Sequence, residues 1–219
     1  QASARATGQA ERRPVVQVPG LGSLRGSILQ EQIAVFRGIP YAKPPLRELR
    51  WKPPQPYGPW AGRPREAAHY RDACIPIIKS PNVTNSEDCL FLNVATPVEA
   101  LASSTVLPVM VYIHGGNYCS GASNNNYPES LVLQSRASIV VVTLNYRLNV
   151  FGFLGSFELK QRSEDKSTGN YGLQDQRLAL AWVRDHIKSF GGNGLDVTIF
   201  GESAGGNSVL NHLTQPASF

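Results

Sequence analysis

At 219 residues with 42% hydrophobic content, the chain carries enough apolar material for one buried core. Its uninterrupted apolar runs are short, Ile139 to Val142 being typical, which excludes a spanning helix within the sequence. A net charge of +5 arises from 21 Lys plus Arg against 16 Asp plus Glu, but the basic residues are scattered among prolines, loops and helix faces, which argues against a nucleic-acid partner.

In chain order, residues 1–13 are polar, hold Glu11, Arg12 and Arg13, and show neither helical nor strand period, so a flexible tail is expected before a domain at 14–219. Val15 to Val18, Ser23 to Leu29 and Ile33 to Phe36 read as short strands broken at Pro19-Gly20 and Gly26, a small antiparallel edge. From Gly38 to Pro64, dense Pro and Gly predict an irregular surface loop anchored by Trp51, Tyr57 and Trp60. Cys74 and Cys89 enclose a short polar segment that is either open, with two thiols, or closed by a disulfide. Closure would stabilise by about 3 kcal/mol in an oxidising compartment. Asn82-Val83-Thr84, inside that segment, is a glycosylation acceptor pattern, and the two features together favour a secreted or secretory-pathway protein. Cys119, the third cysteine, reads as a small buried apolar residue.

Beyond Cys89 the texture changes. Leu90 to Ala95, Val109 to His114 and Ser138 to Leu144 are β-branched, nearly unbroken apolar runs, as in strands buried on both faces. Gly172 to Phe190 places Ala179, Val183, Ile187 and Phe190 on one helical stripe, ended by Gly191-Gly192. Asp196 to Gly201 is a further strand and Ala204 to Leu213 a further helix. Such alternation predicts an α/β architecture with a mostly parallel twisted sheet flanked by helices.

Two motifs carry chemistry. Gly201-Glu202-Ser203-Ala204-Gly205 follows the strand Val197 to Phe200 and opens a helix, the setting in which a sharp turn lifts a serine hydroxyl above the sheet edge. Side chains at Gly201 and Gly205 would collide where strand and helix approach. The second motif, Ile113-His114-Gly115-Gly116-Asn117-Tyr118, follows the strand at Val109. Its backbone N–H groups, joined by that of Ala204, could face a developing oxyanion.

With these motifs, the chain resembles the type-B carboxylesterases, the group that contains the cholinesterases and the non-catalytic neuroligins. The resemblance runs over residues 15–215, through Phe36 to Ala42, Ser86 to Val94, Asn145 to Leu148, Gly152 to Leu154, Gly169 to Gln176, Ala181 to Val183, Phe190 to Gly192 and Val197 to Gly206. It implies an α/β-hydrolase fold in which Ser203 is the nucleophile and Gly116, Asn117 and Ala204, with Gly115 beside them, supply the oxyanion hole. It also implies that Cys74 and Cys89 form a disulfide, and that the substrate is a small-molecule carboxylic ester handled without metal or organic cofactor. Two departures matter. Asn117 stands where the pattern has a third glycine; it tolerates left-handed backbone, but its side chain would narrow the acyl pocket. The short Cys74 to Cys89 segment lacks the tryptophan that cholinesterases hold there, which argues against a choline-ester specialist.

A serine needs a histidine to take its proton and a carboxylate to orient that histidine. The chain has His69, His114, His186 and His212, and in this fold both partners follow the serine. His212 alone does so, and nine residues along a helix it faces away. Glu202 adjoins the serine and is placed to tune the site electrostatically, whereas the triad acid is expected beyond Phe219. The chain is therefore expected to be the N-terminal part of the enzyme, truncated after the nucleophile helix, inactive alone and dependent on the C-terminal part of the domain. The competing reading is a catalytically silent, neuroligin-like adhesion or scaffold protein.

Overall fold

The computed structural model describes residues 13–60, 62–79, 81–125, 128–164 and 166–215. The predicted tail lies outside these except for Arg13, whose guanidinium bonds the Gly26 carbonyl and pairs with Glu66. The strands are β1 (Val15–Val18), β2 (Gly22–Arg25), β3 (Ser27–Leu29), β4 (Ile33–Pro40), β5 (Arg65–Glu66), β6 (Phe91–Pro97), β7 (Leu107–Ile113), β8 (Val140–Leu144) and β9 (Gly192–Gly201). The helices are α1 (Pro128–Gln134), α2 (Asn149–Phe153), α3 (Phe157–Arg162), α4 (Tyr171–His186) and α5 (Ala204–Leu213).

β1, β2 and β5 make a small sheet of their own, and the main sheet runs β3-β4-β6-β8-β7-β9. The α/β-hydrolase architecture holds, as a mixed sheet flanked by helices, and the antiparallel part is wider than the edge expected. Within the main sheet β3/β4, β4/β6 and β6/β8 pair antiparallel and β8/β7 and β7/β9 parallel, while in the small sheet β1/β2 is antiparallel and β2/β5 parallel. The predicted loop from Gly38 also begins later than expected. β4 continues to Pro40 through a bulge at Arg37-Gly38, where Gly38 takes φ 69° and its N–H reaches Asn93 Oδ1 at 2.9 Å. Beyond it the aromatic anchors hold: Trp51 Nε1 donates to the Val150 carbonyl and Trp60 Nε1 to that of Ser23.

Period-two alternation sorts the strand side chains between two layers. Ala34, Phe36, Val94, Val111 and Val142 meet Ala179, Val183 and Ile187, on and just beyond α4, whereas Ile33, Val35, Ala95 and Val141 meet Val132 on α1. α4 carries the predicted apolar stripe. Residues Ile187–Phe190 follow it as a tight 3₁₀ turn, and Gly191 closes that turn in the left-handed region at φ 80°. A buried ion pair fastens α4 to the end of β8: Asp175 accepts from Arg147 Nε at 2.8 Å and Nη2 at 2.7 Å. Cys74 and Cys89 are joined in a disulfide with Cα atoms 4.9 Å apart, and Cys119 is free and half-buried rather than fully buried.

Candidate active site

β7 and β9 are neighbouring parallel strands with Ile113 in register with Gly201, so their carboxyl ends leave the sheet at one edge, side by side. This places the two motifs together although nearly ninety residues separate them in sequence. An added Cβ on Gly115 would lie 3.1 Å from the Ser203 Cβ and 2.5 Å from the Glu202 carbonyl, so the glycine loop sits directly against the serine turn.

Ser203 is exposed, with φ 55° and ψ −119°, a conformation that L residues rarely adopt. α5 begins at the next residue. The bend is made possible by close approach. A Cβ on Gly201 would meet the Gly205 carbonyl carbon at 2.5 Å, and one on Gly205 would meet the Ile113 carbonyl oxygen at 2.0 Å. Glu202 is exposed beside the serine.

In the glycine loop, Gly116, Asn117 and Tyr118 all have positive φ, at 107°, 53° and 56°. Asn117 is therefore in the left-handed region its residue type tolerates, and its side chain is exposed. Successive left-handed residues make a tight turn in which Cys119 and Ser120 N–H groups return to the Gly116 carbonyl. Among the described residues, the N–H groups of Gly116, Asn117 and Ala204 donate to no protein acceptor. Tyr146, just past β8, supports the loop from beneath. Its hydroxyl donates to the His114 carbonyl at 2.7 Å, and its ring stacks on the imidazole at 4.4 Å.

The histidines fall as expected. His114 is buried, and its Nδ1 donates to the Gly115 carbonyl at 2.8 Å; burial holds its pKa down at about 4, so the ring is neutral and structural. His212 is buried on α5 against Gln176, burial first and Arg177 second lowering its pKa to about 4. His186 packs half-buried against Trp182, and His69 is an exposed loop residue. Among the described residues the Ser203 hydroxyl makes no hydrogen bond.

Two features escaped the sequence. A groove of about 510 Å³ beside the glycine loop is lined by Asn117, Asn149 and the mostly apolar Ile77, Tyr118, Cys119, Val150, Phe153 and Leu154. Tyr118, Gln176, Ser208 and His212 also form one polar chain. Both join residues far apart in sequence, and no local pattern announces either. Asn82 is exposed in the disulfide-closed loop. Among the described residues no helix is long and apolar enough to cross a membrane, and no three of His, Cys, Asp or Glu gather as a metal site.

The sequence model of the Carboxylesterase family matches residues 12–219. The chain is 41% identical over 214 residues to an acetylcholinesterase of Electrophorus electricus, covering 90% of this chain and 32% of that protein. It is 44% identical over 200 residues to carboxylesterase 1E of Mus musculus, covering 85% and 34%. Among solved structures, EstA of Aspergillus niger superposes with a TM-score of 0.84 at 35% identity, over 94% of this chain and 40% of that one. The chain thus spans about a third of the length of the curated relatives it matches.

Proposed function

Because this chain belongs to the carboxylesterase family, we propose that the protein hydrolyses carboxylic esters through an acyl-serine intermediate on Ser203. The observation that carries this reading is the strained, exposed Ser203 turn set against a glycine loop whose Gly116 and Asn117 amides, with that of Ala204, donate to no acceptor among the described residues. In this reading the serine hydroxyl attacks the ester carbonyl and the amides of Gly116, Asn117 and Ala204 take the oxyanion, with Gly115 giving the loop its closeness. Each such donor contributes about 3 to 4 kcal/mol to lowering the barrier. Glu202 sets the local field. The hydroxyl proton needs a histidine oriented by an acid, and neither His114 nor His212 fits that role: burial lowers both pKa values to about 4, and each ring already bonds elsewhere, His114 to the Gly115 carbonyl and His212 to Gln176. This chain alone accordingly turns over no ester.

The substrate reading follows from the groove beside the loop, whose apolar walls suit an ester with an uncharged apolar arm. The disulfide and the exposed Asn82 acceptor favour a secreted or secretory-pathway protein, glycosylated at Asn82. A fluorophosphonate probe on the full-length protein tests the central claim. Labelling that Ser203→Ala abolishes is expected; an unlabelled, folded wild type would instead favour the adhesion or scaffold reading.

A further inference from the structure

The oxyanion hole proposed above has two halves on different elements. Gly116 and Asn117 belong to the loop after β7, and Ala204 belongs to the first turn of α5. A hole works only while both halves hold their separation to a fraction of an ångström, so something rigid must join them. Sheet pairing fixes the loop's origin at Ile113, but the chain beyond it is a glycine turn with no ladder of its own.

One buried side chain bridges the gap. Ser208 Oγ lies 2.9 Å from the Ala204 carbonyl, 3.3 Å from the Tyr118 hydroxyl and 3.1 Å from Gln176 Nε2. The serine has one proton and the carbonyl has none, so Ser208 donates to Ala204 and accepts from both Gln176 and Tyr118. Gln176 is in turn fixed by His212, whose Nε2 lies 3.0 Å from Gln176 Oε1 and donates to it. The three inner members are 0 to 1% exposed, so the link is sheltered from competing water. Tyr118 directly follows Asn117 and is seated on Phe153 with ring centroids 4.9 Å apart.

We propose that Tyr118, Ser208, Gln176 and His212 are a positioning unit that sets the distance between the loop half and the helix half of the oxyanion hole. They touch no reacting atom and act through the residues they hold. The inference rests on the esterase reading, and its test separates the two. In the full-length protein, Tyr118→Phe and Ser208→Ala are compared singly and together, using 4-nitrophenyl acetate turnover and the affinity of a trifluoromethyl ketone, which mimics the oxyanionic intermediate. Each single change is expected to lower kcat about tenfold with KM held within about twofold, because an oxyanion interaction is made only in the transition state. Ketone affinity should fall by the same factor, and the double variant should be no worse than Ser208→Ala, since both cut one link. Unchanged kcat in the folded variants, a loss carried by KM, or additive losses would overturn the proposal. Tyr118→Phe leaves Ser208 with two partners and carries the test if Ser208→Ala does not fold. A wild type that no fluorophosphonate labels would sink the esterase reading itself, whereas a labelled wild type with an indifferent Tyr118→Phe sinks only this one.

Discussion

Gly205→Ala and Gly206→Ala are neighbouring changes on the same helix that the structure predicts will behave oppositely. Both replace glycine by the best helix former and would gain up to about 1 kcal/mol from that alone. At Gly206 the new methyl meets only the Gly201 carbonyl oxygen, at 3.4 Å, which is ordinary contact. At Gly205 it would fall 2.0 Å from the Ile113 carbonyl oxygen and 2.9 Å from its carbon, both backbone atoms of a central strand that cannot turn aside. Restoring contact distance requires α5 to retreat from β7 by over about 1 Å, and misplacement on that scale can cost about a hundredfold in rate. Overpacking also costs about 1–3 kcal/mol, enough to cancel or reverse the helix gain. The assay is kcat on 4-nitrophenyl acetate, with urea unfolding of the same full-length proteins. Gly206→Ala should keep wild-type turnover and gain stability. Gly205→Ala should lose about two orders of magnitude in kcat with no gain. Equal activity in the two variants would refute the claim that close approach of strand and helix builds the serine turn.

Three further outcomes follow from the same coordinates. His114 is buried neutral with its pKa lowered to about 4, so the unfolded chain protonates first as pH falls; this stabilisation is whole above about pH 6.5 and lost by about pH 4. The loss amounts to about 3 kcal/mol, and His114→Asn should flatten the slope of unfolding free energy between those limits. Reducing the Cys74–Cys89 bridge, or substituting Cys89→Ser, should cost about 3 kcal/mol, seen as a lower urea midpoint that reductant no longer shifts in the variant. Asn117→Gly removes a side chain from the groove wall while keeping the amide and the left-handed backbone, so turnover of longer acyl esters should rise relative to acetate. An unchanged chain-length profile would rule that out.

How much was legible in the sequence depends on the range of the signal. α5 was read to the residue, and α4 nearly so, because a helical stripe and a glycine stop are local. α1, α2 and α3, at seven, five and six residues, were missed because one or two turns cannot display a period. The apolar runs report burial in full for β6 and β8 and in part for β7, whose Met110 and Tyr112 are half-buried; the parallel sense holds between β7, β8 and β9 but fails for β6. β6 is buried at every residue yet pairs antiparallel on both sides, for a continuous apolar run reports two covered faces and nothing about its neighbours' sense. In sequence, Gly38 and Pro40 read as breakers, but they occupy a bulge and a strand end, where each is admissible. The serine turn and glycine loop were legible because glycines mark the close approaches. The chain from Tyr118 to His212 was not, since its members are held together only by the fold.

Two serines in this chain show what the strained turn achieves. Ser156 is the N-cap of α3, in extended backbone at φ −152° and ψ 163°, and its hydroxyl accepts from the Leu159 N–H at 3.1 Å, as an N-cap serine ordinarily does. Ser203 holds the same position before α5, but at φ 55° and ψ −119° its side chain makes no such bond. The difference is backbone geometry, not residue type. A conformation of this kind costs about 1–3 kcal/mol and persists only where packing dictates it, here through Gly201 and Gly205 against Ile113. Its consequence is that the hydroxyl does not satisfy the first amides of its own helix. In the proposed reading, that leaves the hydroxyl available to attack and the Ala204 N–H open to the negative charge that the attack would create.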